Sequence, residues 1–217
     1  MSRISVALET TPKKSFASAL EYPGWSRSGK TPELAIETLL AYAPRYAEVA
    51  VLAGSPITTE DLAAEVAETV DGDGSTAYGV PGRIAELERE PLDRQEAGRR
   101  AALVDAAWRT FDAIAAAAPA KLRKGPRGGG RDTAKIVEHV VGADHGYARE
   151  LGLKRDAPDP RDPDAVVALR VAMLEVLREP SEGGPIGKRW TARYAARRIA
   201  WHALDHAWEI EDRTEPG

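Results

Sequence analysis

The sequence predicts an α+β N-terminal module followed by an all-α antiparallel four-helix bundle. Three observations predict it. Residues 1–85 are dense in turn formers and hold short runs of alternating apolar and polar residues. Residues 93–213 carry four long stretches whose apolar positions recur every three or four residues. Loops rich in glycine, proline or charge separate those stretches, with no strand between them, and antiparallel packing is their simplest arrangement.

In the first module, SRISVALET alternates Ile4, Val6 and Leu8 with polar neighbours and reads as a strand. KSFASALE (14–21) alternates Phe16, Ser18 and Leu20 with smaller residues and reads as a second. YPGW (22–25) supplies a Pro-Gly turn into WSRSGK, a short third strand. Thr31, Pro32 and Glu33 have the form of a helix start, with an oxygen cap and proline in the first turn. Leu34, Leu39, Leu40 and Ala43 follow at helical spacing, and Pro44 marks an end or a kink. DLAAEVAETVD (61–71) fits helix or strand equally, and DGDG (71–74) ends it as a turn. GVPGRIAELEREPLDR (79–94) reads as a connection.

In the second module, the first helix spans about 93–117, with Val104, Ala107, Trp108, Phe111 and Ile114 on one side. KGPRGGG (124–130) is a glycine-rich, positively charged loop. The second helix opens at Asp132 as its cap and runs to about 151, with Ile136, Val137, Val140 and Val141 inward. DAPDPRDP (156–163) connects to a third helix, capped by Asp162 with Pro163 at its first position, whose seam is Val167, Val171 and Leu174. SEGGPIG (181–187) precedes the fourth helix, about 189–213. Its apolar arc holds Ile199, Ala203, Leu204, Trp208 and Ile210.

Composition narrows the function. A formal charge of −4 argues against a nucleic-acid binder, which ordinarily has a basic excess. With no cysteine, disulfides, thiolate ligands and a cysteine nucleophile are excluded, so any thiol must come from outside. The N-terminus lacks a signal-peptide core, and no apolar run approaches the ~18 residues of a membrane span. The expectation is a cytoplasmic protein that does not enter the membrane.

WHALDHAWEIEDR (201–213) carries the chemistry. His202 and His206 are four residues apart, so they project from adjacent turns of one helical face and can share a metal ion at about 2.0–2.1 Å each. They sit at the edge of the apolar arc, where ordinary boundary histidines also sit, and Arg198, Asp205 and Glu209 continue into the polar side. A third ligand must come from another helix. His139 and His145 flank the arc of the second helix on opposite sides, and helical geometry does not choose between them. Asp205 and Glu209 are candidates to orient an imidazole, or are simply solvated. The cluster KLRKGPRGGGR (121–131) has five positive charges but lacks the order of a phosphate-cradling loop, and reads as a helix-ending loop. Trp108, Trp190, Trp201 and Trp208 read as packing residues. No serine lies in a nucleophile-elbow context.

IVEHVVGADH (136–145) and RRIAWHALDHAWEIEDR (197–213) resemble the second-helix and fourth-helix segments of the DinB-like family, over about residues 93–213. The resemblance implies a divalent metal, zinc or nickel, held by His139, His202 and His206, with His145 a spectator. Relatives in that family include mycothiol- or bacillithiol-dependent transferases and mycothiol-dependent maleylpyruvate isomerases. The implied partners are a small-molecule thiol and an electrophilic substrate. Frequent Ala and Arg, with little Phe or Met, suggest a GC-rich bacterial genome and hence mycothiol. FASALEYPGWSRSGKTPELAIETLLAYAPRY (16–46) resembles the HicB-like antitoxin fold. Such proteins block an RNA-cleaving toxin. Here the module adjoins a bundle and no recognisable DNA-binding helix pair, so it reads better as an accessory unit that packs on the bundle or pairs two copies. The competing class is a non-enzymatic binding or regulatory protein with a structural bundle.

Overall fold

The computed structural model describes residues 2–124 and 130–214, and it is mixed α and β. The loop predicted at 124–130 lies mostly outside the described residues. Strands β1 (Arg3–Thr10), β2 (Ser15–Ala19) and β3 (Ser26–Gly29) form an antiparallel meander, with Val6 opposite Ala19 and Ser18 opposite Ser26. β4 (Ala63–Asp71) joins the free side of β1 in parallel, giving the order β3-β2-β1-β4. The ambiguous stretch is therefore a strand. Its alanines and glutamates favour helix locally, and pairing with a strand some 60 residues earlier overrides that preference.

β2 is buried throughout because both its faces are covered. Ala17 and Ala19 join the main core, while Phe16, on the opposite face, meets Trp201 edge-on at 6.1 Å.

α1 (Pro32–Ala41) begins as expected, with the Thr31 hydroxyl accepting from the Leu34 amide. Pro44 falls at the break just beyond the end of that helix, as expected. It occupies the first turn of a second one, α2 (Ala43–Leu52), which the sequence reading missed. Proline is well placed there because the first amides of a helix have no partner inside it. After the predicted turn at 71–74, Asp73 caps a short helix, α3 (Gly74–Tyr78).

Four long helices follow: α4 (Arg94–Ala117), α5 (Thr133–Glu150), α6 (Pro163–Leu177) and α7 (Ala192–Thr214). α7 packs on α4, α5 and α6, and α6 also packs on α4 and α5. Asp93 and Asp162 cap α4 and α6 through their side chains. Asp132 precedes α5 but forms no cap bond, because its carboxylate instead accepts from Lys121 and the Leu122 amide. Thr191 opens α7, its hydroxyl accepting from the Tyr194 amide.

The predicted seam of α6 needs correction. Val167 and Val171 face solvent, and Val166, Leu169, Met173, Leu174 and Leu177 face the core. The sequence reading placed the apolar arc one residue off, because a buried arginine, Arg170, lies within the true seam. Its Nε donates to Asp144 at 3.0 Å and its Nη1 to Asp112 at 2.8 Å, and Asp144 also accepts from Trp108 Nε1. This network ties α4, α5 and α6 together.

One hydrophobic cluster runs through both halves of the chain, from Ile4, Trp25 and Leu39 to Trp108, Ile136, Met173 and Trp208. The back of α7 is the seam between them. Gly24, at φ 94°, sits so close to α7 that a Cβ there would lie 2.8 Å from that of Ala200. Arg27 pairs with Asp205 at 3.1 Å and Arg45 with Asp212 at 2.7 Å. The connection at 79–94 is strapped to the same helix: Glu88, inside a 3-10 turn (Glu86–Arg89), receives two hydrogen bonds from the buried Arg197 guanidinium at 2.6 and 2.8 Å. α7 is thus held from behind along much of its length. No helix among the described residues is long and apolar enough to cross a membrane.

Candidate metal centre

The three histidines selected by resemblance converge. His139 comes from α5, and His202 and His206 come from successive turns of α7. Their candidate ligand nitrogens all lie within 4.8 Å of one another. Ring centroids are 5.0 Å apart for His139 and His202, 4.9 Å for His139 and His206, and 4.7 Å for His202 and His206. His145 does not join them. It is half-buried, and its Nε2 lies 2.9 Å from the Arg155 carbonyl. The opposite-sides wheel for α5 is correct, and the structure makes the choice that the wheel left open.

Hydrogen bonding reveals the tautomer of one ring. His206 Nδ1 lies 2.8 Å from Glu209 Oε2. A carboxylate can only accept, so Nδ1 carries a proton, and in the neutral ring Nε2 then holds the lone pair. Glu209 is itself held from the other side, its Oε1 accepting from Arg213 Nη1 at 2.8 Å. His202 and His139 approach through Nε2 and Nε2, 3.2 Å apart. His202 Nδ1 is buried without a partner among the described residues. That ring is held by packing instead: Tyr147 stands edge-on to it at 5.6 Å and Trp201 lies 6.2 Å away.

These distances suit a divalent cation. Nitrogens bound at 2.0–2.1 Å with tetrahedral angles stand roughly 3.3 Å apart. The His139 and His202 pair is already at 3.2 Å. Closing the widest separation from 4.8 Å needs a shift of about 1.5 Å, within reach of small side-chain rotations. The electrostatics agree. Burial, then the neighbouring His206, lower the pKa of His139, and burial lowers that of His202 well below the usual imidazole value. Metal binding requires neutral rings, and both shifts favour them at neutral pH. The hydrogen bond from His206 lowers the pKa of Glu209 and keeps it charged.

Of the polar residues predicted beside the pair, Glu209 faces the site and Asp205 faces away, towards Arg27. Sequence reading missed Tyr147 and treated Arg198 only as part of the polar side. Arg198 lies one turn before His202, with its guanidinium over Tyr147 at 5.4 Å and over Trp201 at 4.7 Å. Tyr147, eight residues beyond His139 on α5, shares its side of the helix, and that spacing was the available signal.

The site and fold together define an α+β protein with a three-histidine group shared between two helices. Compared with family models, curated proteins and solved structures, the chain matches none.

Proposed function

We propose that His139, His202 and His206 hold one divalent cation, zinc or nickel, and that the protein is a metal-dependent enzyme of the thiol S-transferase type. In this reading α4 to α7 are a DinB-like antiparallel four-helix bundle, and residues 1–85 are a HicB-like accessory module set against the back of α7. The observation that carries the reading is the convergence of three imidazole nitrogens within 4.8 Å, one of them oriented by a carboxylate.

The chain's own residues prepare the site. The His206–Glu209 bond presents Nε2 inward, as second-sphere carboxylates do for ligand imidazoles. Burial keeps His139 and His202 neutral. Three protein ligands leave coordination positions open, and a bound divalent cation there would lower the pKa of an incoming thiol. With no cysteine in the chain, that thiol is a small molecule, and mycothiol fits the composition. The second substrate is then an electrophile.

Elemental analysis of protein purified without chelators tests the reading. It predicts close to one equivalent of zinc or nickel, lost in His202→Ala, and metal-dependent consumption of a thiol with an electrophile. Metal-free protein whose stability is unchanged by His202→Ala would instead indicate the non-enzymatic binding class.

A further inference from the structure

We propose that the groove between the start of α7 and the 79–89 connection binds a small organic anion, through a carboxylate or phosphate group, and directs its other end at the histidine triad. The groove encloses about 550 Å³. Arg83, Arg89, Arg189 and Arg198 line it, together with the rings of Trp190 and Tyr194, and no carboxylate does so among the described residues. Guanidinium forks match the planar geometry of carboxylate and phosphate oxygens, and aromatic walls take the apolar part of such a ligand.

Three of these arginines have partial partners on the rim. Arg83 approaches Asp73 at 3.7 Å, Arg89 approaches Glu86 at 3.3 Å and Arg189 approaches Glu150 at 3.4 Å. Arg198 differs. It pairs with no carboxylate among the described residues, and its buried Nη1 has no hydrogen-bond partner. A buried, unsatisfied charged donor is costly, and an incoming oxyanion would satisfy it.

The walls are fixed in place. Arg197 binds Glu88 and the carbonyls of Pro81 and Arg83, and the Tyr194 hydroxyl donates to the Gly82 carbonyl at 3.0 Å. The connection is therefore part of the site, and Arg83 is held where it can serve it. Tyr147 links the aromatic wall of the groove to the triad. Trp190 touches Tyr147 at 5.2 Å and Tyr147 touches His202 at 5.6 Å. Arg198 and His202 are one helical turn apart, roughly 6 Å along the axis. A ligand anchored at Arg198 has its far end beside the imidazoles.

A larger basic cavity, about 680 Å³, lies beside Arg149, Lys154 and Arg155. It sits at the C-terminal end of α5, whose negative dipole end opposes an anion, and none of the three histidines lines it. It serves here as the control.

The proposal rests on the metal-centre reading only for what the far end of the ligand meets. The test therefore uses chelator-treated, metal-free full-length protein. Calorimetric titrations with succinate and with inorganic phosphate distinguish the two oxyanion sources. At least one probe is expected to bind in the millimolar range. Arg198→Met should weaken it about tenfold, the equivalent of one charged anchor, and the exposed Arg189→Gln by a smaller factor. Arg155→Gln should leave it unchanged. Arg189→Gln keeps the test valid if Arg198→Met fails to fold. Binding of neither probe, or binding lost in Arg155→Gln and kept in the groove variants, overturns the proposal. Zinc loading is measured separately, so loss of the metal reading leaves the groove result intact.

Discussion

Glu209→Ala should weaken zinc binding about tenfold. Among the described residues, Glu209 is the one carboxylate found on an imidazole of the triad, at 2.8 Å from His206 Nδ1. Losing such a partner typically costs 10–100-fold in metal affinity, or about 1.4–2.8 kcal/mol. The lower end applies because the Glu209 side chain is 34% exposed and shares its charge with Arg213. The substitution falls within a helix and touches no core residue, so the fold should survive. Glu209→Gln retains an acceptor and should lie between wild type and alanine. Competition against a chromophoric zinc chelator measures all three. An affinity within twofold of wild type in Glu209→Ala would refute the orienting role. A higher affinity would show that the metal uses Nδ1 and that the carboxylate competes with it.

Other consequences follow from the same geometry. Asp144→Ala leaves Arg170 buried beside only Asp112, and removing one partner of a buried pair costs about 3–5 kcal/mol. Thermal melting should fall by roughly 6–20 °C for a chain of this size. Gly24→Ala should destabilise markedly, because φ is 94° and the new Cβ would strike Ala200 and Leu204; unchanged melting would contradict the tight docking against α7. The lowered pKa values of His139 and His202 carry a definite sign. Below about pH 6.5 an unfolded chain protonates these rings while the native state resists, so the metal-free protein loses stability as pH falls from 6.5 towards the native values. A pH series of thermal melts should show that slope, and His202→Gln should reduce it.

The parts of this molecule legible in its sequence are those set by local pattern. Asp132 and Asp162 precede periodic apolar runs, and helices begin where those signals stand. His202 and His206 share a face because helical spacing requires it. Long-range pairing was not legible. β4 is a strand because β1 accepts it, and nothing inside AAEVAETVD says so. The α6 seam was misplaced because Arg170 is buried only by virtue of Asp144 and Asp112 on other helices. Wheel geometry left His139 and His145 equivalent, and only the packing of α5 on α7 separates them. Arg83 and Arg89 belong beside Arg198 because Glu88 and Arg197, over a hundred residues apart, form a buried pair. A polar pair that distant leaves no periodic trace.

X-ray absorption at the zinc edge of the loaded protein examines the centre most directly. Three imidazole nitrogens at about 2.0–2.1 Å, with one or more water oxygens completing the shell, are the predicted result, falling to two nitrogens or to loss of the metal in His139→Ala. A shell of oxygens alone, or a spectrum unaltered by His139→Ala, would mean that α5 and α7 do not share a cation.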